Sequence, residues 1–306
     1  MTTNMTGGSS LGPVKSDRAL RWPWAISIAA VLLLGVAIIL TLVNDTFGLF
    51  VVVAAMMVVG YGVVGAFLAT RVPRNPIGWL MIAMAASFAI VGVGDEYVVY
   101  SLDTSPGSLP LPEVAAWVNA FAFYGVLLPI LVILLVFPDG TVMSPRWRVV
   151  LVGVLTGGGL LILSAMVSPG PIGETGVDNP LGIESLDGVT SVLNIVGGIV
   201  LLASALAAVT SLAVRYRRAP SSERRQIRPL ALIAAIALGI ILIALALPSL
   251  SRASDLLFTA FFALIGVGVP LAIQNAVMRH RLYELDVVIR KTVVFAIVVV
   301  LSLIHI

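Results

Sequence analysis

Groups able to do chemistry are sparse in this sequence, and none is set at a spacing that makes a catalytic site. Histidine occurs only at His280 and His305. Glu284 follows His280 by four residues, which on a helix stacks imidazole and carboxylate on one face. A metal needs more ligands than that pair offers, and the stretch Arg279–Lys291 is so charged that a solvated helix face accounts for it. Cysteine is absent, which excludes disulfide frameworks, iron–sulfur clusters and thiolate zinc sites. Asp95 and Glu96 are adjacent carboxylates, too few oxygens for a calcium site by themselves. The run Gly157–Gly159 has no following Lys and Ser/Thr, so it is not a phosphate loop. A nucleophile elbow, the kinase signature set and the Rossmann glycine fingerprint are all missing. The sequence therefore assigns no catalytic residue, no metal ligand and no cofactor.

The elements that carry these residues follow from composition. Of the 306 residues, 59% are hydrophobic and only 11% charged, with a mean hydropathy of +1.10. Soluble domains carry roughly 25% charged residues, and a chain this apolar has too little polar surface to cover itself in water. In lipid the same composition is expected, because a helix satisfies its own backbone and turns apolar side chains to the acyl tails. A spanning helix needs about 20 apolar residues. Eight segments qualify: Trp24–Val43, Phe47–Ala69, Ile77–Val93, Val114–Phe137, Val149–Val167, Val189–Val214, Leu230–Leu247 and Leu256–Val277. The expected fold is an all-α, polytopic integral membrane helix bundle with eight complete spans and a truncated ninth. The expected organisation is a disordered cytoplasmic tail over 1–23 and an eight-helix transmembrane domain over 24–277. A cytoplasmic juxtamembrane segment over 278–292 and the ninth span over 293–306 follow. The first apolar run exceeds the 7–15 residues of a signal-peptide core and no small-residue cleavage site follows it, so it is read as a retained span.

Charge sets the orientation. With the N-terminus in the cytoplasm and the chain alternating across the membrane, 17 of the 18 Lys and Arg fall in inner segments, Arg252 being the exception. Ten of the fifteen Asp and Glu fall outside. The expected location is a cell membrane, multi-pass, N-terminus inside. A net charge of +3 does not point to nucleic acid, because the basic residues are spread over several inner loops without the aromatic interleaving of a single-strand platform. Anionic lipid headgroups are the expected partner of those loops, with a homodimer as the candidate assembly and no ligand identified.

No ionisable residue lies near the midpoint of an expected span, which counts against proton- or sodium-coupled transport and intramembrane hydrolysis. The polar residues inside spans are Thr41, Tyr61, Asn119, Tyr124, Thr156, Asn194, Thr210, Gln274 and Asn275. Such groups tie helices together at about 0.6 kcal/mol each. Glycines at positions 60, 62, 65, 157–159, 197 and 198 allow close helix approach, and Gly266, Gly268 and Pro270 predict a kink. The two longer outer segments, Gly94–Glu113 and Ser168–Gly188, are acidic and read as solvated connectors, with a ligand- or cation-contacting lid as the sharper alternative.

The inner loops are the most distinctive part of the chain. Arg74–Trp79 reads RNPIGW, an Asn-Pro turn, then a helix begun through proline with an interfacial tryptophan. Phe137–Arg148 reads FPDGTVMSPRWR, a tight turn followed by a Ser-Pro helix start and a second interfacial tryptophan. Arg215–Arg228 reads RYRRAPSSERRQIR, with Ser222 placed to cap a helix near Glu223. Arg279–Thr292 reads RHRLYELDVVIRKT, and an outer NPLGI lies at Asn179–Ile183. In chain order, with NPLGI third, the five motifs resemble the membrane-embedded N-terminal sensory region of actinobacterial-type sensor histidine kinases and their kinase-less relatives. The resemblance covers Arg71 to Thr292. It implies a many-spanning input module that feeds further helices and a cytoplasmic output part. The chain departs from the complete pattern in having no helix with a phosphoacceptor histidine and no ATP-binding domain. The residues expected to relay a signal or anchor the interface are Arg74, Asn75, Pro76, Trp79, Pro138, Asp139, Gly140, Arg146, Trp147, Arg281, Tyr283 and Asp286.

The ninth span begins at Val293 and has 14 residues, short of a crossing. Residues Leu301–Ile306 back-translate as ctg-tct-ctt-ata-cac-atc, the transposon mosaic end used in sequencing libraries. The expectation is read-through into adapter, with His305 not biological. The function expected is thus a sensory module of a two-component-type protein without catalytic output of its own. The alternatives are a small-solute transporter, for which Gly266–Pro270 is one broken-helix candidate without a partner in an earlier half, and a structural membrane protein.

Overall fold

The computed structural model describes residues 21–173, 175–246 and 251–278. The N-terminal tail before residue 21, the juxtamembrane residues from 279 and the ninth span lie outside these, as do His280 and His305. The described residues form helices α1 (Trp22–Val43), α2 (Leu49–Arg71), α3 (Ile77–Val99), α4 (Pro112–Ala122), α5 (Tyr124–Val136), α6 (Arg148–Val167), α7 (Asp187–Arg218), α8 (Ser221–Ala246) and α9 (Ser251–Met278). Among them there is no strand, only an isolated bridge between Pro171 and Asp178. Eight helical segments are long and apolar enough to cross a membrane, α4 and α5 together making one of them. The chain is an all-α polytopic helix bundle of membrane-protein type.

Several helices run further than the apolar pattern alone indicates. The segment after Val93 is not an open connector: α3 continues to Val99 and then widens into a π-helical turn over Tyr100–Thr104. Nothing before Pro106 breaks the helix, and the polar side chains have partners. The Glu96 carboxylate accepts from Asn44 Nδ2 and Thr46 Oγ1, both at 2.8 Å, beyond the C-terminus of α1. Helix α7 likewise continues past Val214 to Arg218. Helix α8 starts at Ser221, one residue before Ser222, with the amides of Glu223 and Arg224 bonded to the Pro220 carbonyl.

The core lies between α2, α3 and α5, with α9 packed on α2. Tyr61, Met57, Met81, Met84, Ile133 and Phe137 are fully buried there. Tyr61 donates to the Ile265 carbonyl of α9 at 2.8 Å, and Phe262 of α9 is ringed by Phe50, Phe88, Phe123, Phe258 and Phe261 at centroid distances of 4.6–6.2 Å. Helices α2 and α3 approach backbone to backbone: a Cβ built on Gly78 would sit 2.5 Å from the Ala69 nitrogen and 2.9 Å from the Gly65 oxygen. A similar approach joins α6 to α7, where a Cβ on Gly157 would lie 2.8 Å from the Leu201 nitrogen. Large apolar side chains instead line the outside of the bundle, such as Ile28, Leu32 and Ile39 on α1 and Val192, Ile195 and Ile199 on α7. Their spacing of three to four residues is a helical stripe facing hydrocarbon.

The polar residues inside the spans divide. Tyr61 and Asn119 tie helices, Asn119 Nδ2 donating to the Val91 carbonyl at 3.1 Å and to Asp95 at 2.7 Å. Thr41 and Thr210 only bond carbonyls of their own helices. Helix α9 runs through Pro270, so the Gly266–Pro270 segment is not an interruption of the helix. A one-residue irregularity falls in the fourth span, at Phe123 between α4 and α5, with the backbone still helical at φ −57° and ψ −36°. There the Val126 amide reaches back three residues to the Phe123 carbonyl at 3.0 Å. Pro129, within α5, lacks an N–H and crowds the Gly125 carbonyl, which thins the ladder just after that point.

Candidate functional site

Three of the sequence motifs meet at one end of the bundle, where the exposed Arg71, Arg74, Arg146, Arg148, Arg217 and Arg218 also gather. The RNPIGW segment turns out of α2 and into α3. Asn75 Oδ1 accepts from the Ile77 amide at 3.0 Å, which satisfies one of the free donors that open a helix. Pro76 stands at the start, where its missing N–H costs nothing. The other end of the same amide, Asn75 Nδ2, donates to the Pro138 carbonyl at 3.1 Å.

The FPDG turn leaves α5 at Phe137, whose ring is fully buried, and is closed by the Gly140 amide on the Val136 carbonyl at 2.8 Å. Gly140 has φ +77°, and a Cβ there would lie 2.6 Å from Asn75 Oδ1 and 2.7 Å from Pro76 Cδ. Both the left-handed backbone and the contact between the two loops require glycine. Arg215, in the last turn of α7, is 8% exposed. Its guanidinium donates through Nη1 to the Phe137 carbonyl and through Nη2 to the Thr141 carbonyl, the latter at 2.9 Å. The carboxylates of Asp139 and Glu223 add favourable charge nearby. Arg224, from α8, donates to the Ala219 and Arg217 carbonyls at 2.8 and 2.9 Å and so caps α7. One fork of fixed geometry thus holds two carbonyls of a turn that Asn75 holds from the other side.

Of the residues marked in the sequence, the structure brings together Asn75, Pro76, Pro138 and Gly140. Arg74, Trp79, Asp139 and Arg146 are exposed, and Trp147 is half-buried against the main core. Arg281, Tyr283 and Asp286 lie outside the described residues. The central residue, Arg215, sits inside a marked motif, but the sequence reading does not single it out. Its signal is phase: Leu201, Ser204, Ala208, Ser211 and Arg215 fall on one buried face of α7. The NPLGI segment does something separate on the opposite side. Asn179 Nδ2 donates to the Ser168 carbonyl at 2.8 Å and its Oδ1 accepts from the Leu181 amide at 3.0 Å, which ties the outer loop to the end of α6.

The cluster holds loops in place and has no nucleophile beside a base. No group of three or more His, Cys, Asp or Glu that could hold a metal occurs among the described residues. Replacing Asn75 with Ala removes both loop bonds and is expected to cost about 1–2 kcal/mol. The check is a lowered melting midpoint in detergent, with faster amide exchange at Ile77. Comparison with family models, curated proteins and solved structures finds no match to this chain.

Proposed function

We propose that this chain is the membrane-embedded sensory module of a two-component-type signalling protein, set in the cell membrane with its N-terminus in the cytoplasm. The observation that carries this reading is the meeting of three ordered motifs at one end of the bundle. Asn75 binds Pro138, and Arg215 binds Phe137 and Thr141. An input module needs its inner loops to move as a unit, and these bonds couple the α2–α3 loop, the α5–α6 loop and the end of α7. The exposed Arg71, Arg74, Arg146, Arg148, Arg217 and Arg218 of the same face suit anionic headgroups. The module itself carries no catalytic step; a homodimer is its proposed assembly.

The decisive experiment is the sequence of the complete gene. The expected reading frame continues past Thr292 through further helices into a cytoplasmic output domain. A complete gene that ends without one overturns the proposal. Orientation is tested separately, because the chain has no native cysteine. In intact cells Ser108→Cys is expected to react with an impermeant maleimide, and Thr141→Cys only after permeabilisation. The reverse pattern would place the N-terminus outside.

A further inference from the structure

Away from the loop cluster, α5, α7, α8 and α9 leave a slot of about 210 Å³ between them. Helix α8 packs on α7 and α9 rather than on α5. Small side chains at Gly198 and Ala205 of α7 and at Ala234 and Ala237 of α8 keep the space in front of α5 open. The walls run from Gly198 to Val209 on α7 and, antiparallel to it, from Leu230 to Ile241 on α8. Each stretch rises about 16 Å at the helical rise. The volume is therefore drawn out along the helices, one hydrocarbon chain wide and too narrow for a ring system.

Every residue that lines the slot is apolar. Water finds no hydrogen-bond partner there, and left empty the space costs its lining the contacts of one side. The back of the slot is closed by Leu131, Leu134, Leu201, Ile265 and Val269, all buried. Its edges on α7 and α8 are not: Leu202 is exposed, and Ala205, Val209, Ile233 and Ile241 are half-buried. Beyond those edges the same two helices carry the exposed Leu206, Leu232 and Ile236. The slot is thus continuous with the apolar outside of the bundle. Leu202 lies midway along α7, a depth at which the surroundings of a spanning helix are hydrocarbon.

We infer that this slot binds one acyl chain of a membrane lipid, lying parallel to the helices between α7 and α8. Each observation selects part of that ligand. The wall without a polar group selects hydrocarbon, because any donor or acceptor placed there would lose its partners. The length and narrowness select an extended chain over a ring. The open edges at membrane depth select a molecule already present in the bilayer. The headgroup stays outside the slot and takes no part in the selection. The inference rests on the membrane-spanning helices and not on the sensory reading.

The test is photolabelling of the full chain in phosphatidylcholine nanodiscs doped with phosphatidylcholine that carries a diazirine on one acyl chain. Adducts are mapped by mass spectrometry of the peptides. They are expected on Leu131, Leu201 and Val269 of the back wall, which a lipid outside the bundle does not reach, and on the outward-facing Leu32 of α1. A sterol bearing the same diazirine is expected to label the outside alone. Ala234→Phe fills the slot from α8. It is expected to remove the back-wall adducts, keep those on Leu32 and leave the melting midpoint unchanged or raised, as cavity filling does. Ala205→Phe fills it from α7 at a half-buried position and repeats the test if Ala234→Phe does not fold. Back-wall adducts absent from the parent chain, formed equally by the sterol, or undiminished in a folded Phe variant would each overturn the inference.

Discussion

Replacing Arg215 with Met is expected to destabilise the protein by roughly 3 kcal/mol, the cost of two hydrogen bonds from a charged donor at roughly 1.5–3 kcal/mol each. The side chain is buried, and its bond to the Phe137 carbonyl is buried with it, so water replaces it poorly there. The Phe137 and Thr141 carbonyls belong to a turn outside the helical ladder and have no intrahelical donor to fall back on. The effect should be local in its first stage: amide exchange over Phe137–Thr141 accelerates before the bundle melts. Arg215→Lys should recover at most half the loss, because one ammonium cannot span two carbonyls as a planar fork does. Arg218→Met, at an exposed position in the same turn, is the control and should stay within about 0.5 kcal/mol of the parent. Equal melting midpoints for the 215 and 218 variants would remove Arg215 from the centre of the loop cluster.

The second large effect is expected at Gly78. Its Cβ would meet backbone atoms of α2, which cannot swing aside as a side chain can. Gly78→Ala should therefore force α2 and α3 apart and cost about 1–3 kcal/mol, as overpacking does. Gly35→Ala makes the contrast, since nothing stands within 4 Å of a Cβ there. At that mid-helix position alanine should be neutral or stabilise by up to about 1 kcal/mol. Reversible unfolding in mixed micelles measures both, and a Gly78→Ala variant as stable as Gly35→Ala would contradict the α2–α3 packing described above.

Hydropathy makes the spans legible because a crossing helix cannot conceal its length or its lack of charge. It is blind to the ends. Asp95 and Glu96 read as the start of a connector, yet they are helical, because Asn119, Asn44 and Thr46 supply partners from other segments. Arg215 reads as loop charge for the same reason: what buries it is a pair of carbonyls 78 and 74 residues away. Asn75, Pro76, Pro138 and Gly140 were legible as a turn each, since Asn-Pro and Pro-Asp-Gly sequences bend the chain by local chemistry. That the two turns press on each other, so that Gly140 has no room for a Cβ, is a property of the α2–α3 and α5 packing and of no single segment.

The irregularity at Phe123 has a mechanical consequence. A helix resists bending through its unbroken ladder of hydrogen bonds. The third span keeps that ladder from Ile77 to Val99 and behaves as a rod joining the two faces of the membrane. The fourth stays helical through Phe123, at φ −57° and ψ −36°, but its ladder is thinned there and again at Pro129, between Asn119 above and Val136 below. Helix α3, held at its Ile77 end by Asn75, is therefore the stiffer of the two connections across the bundle.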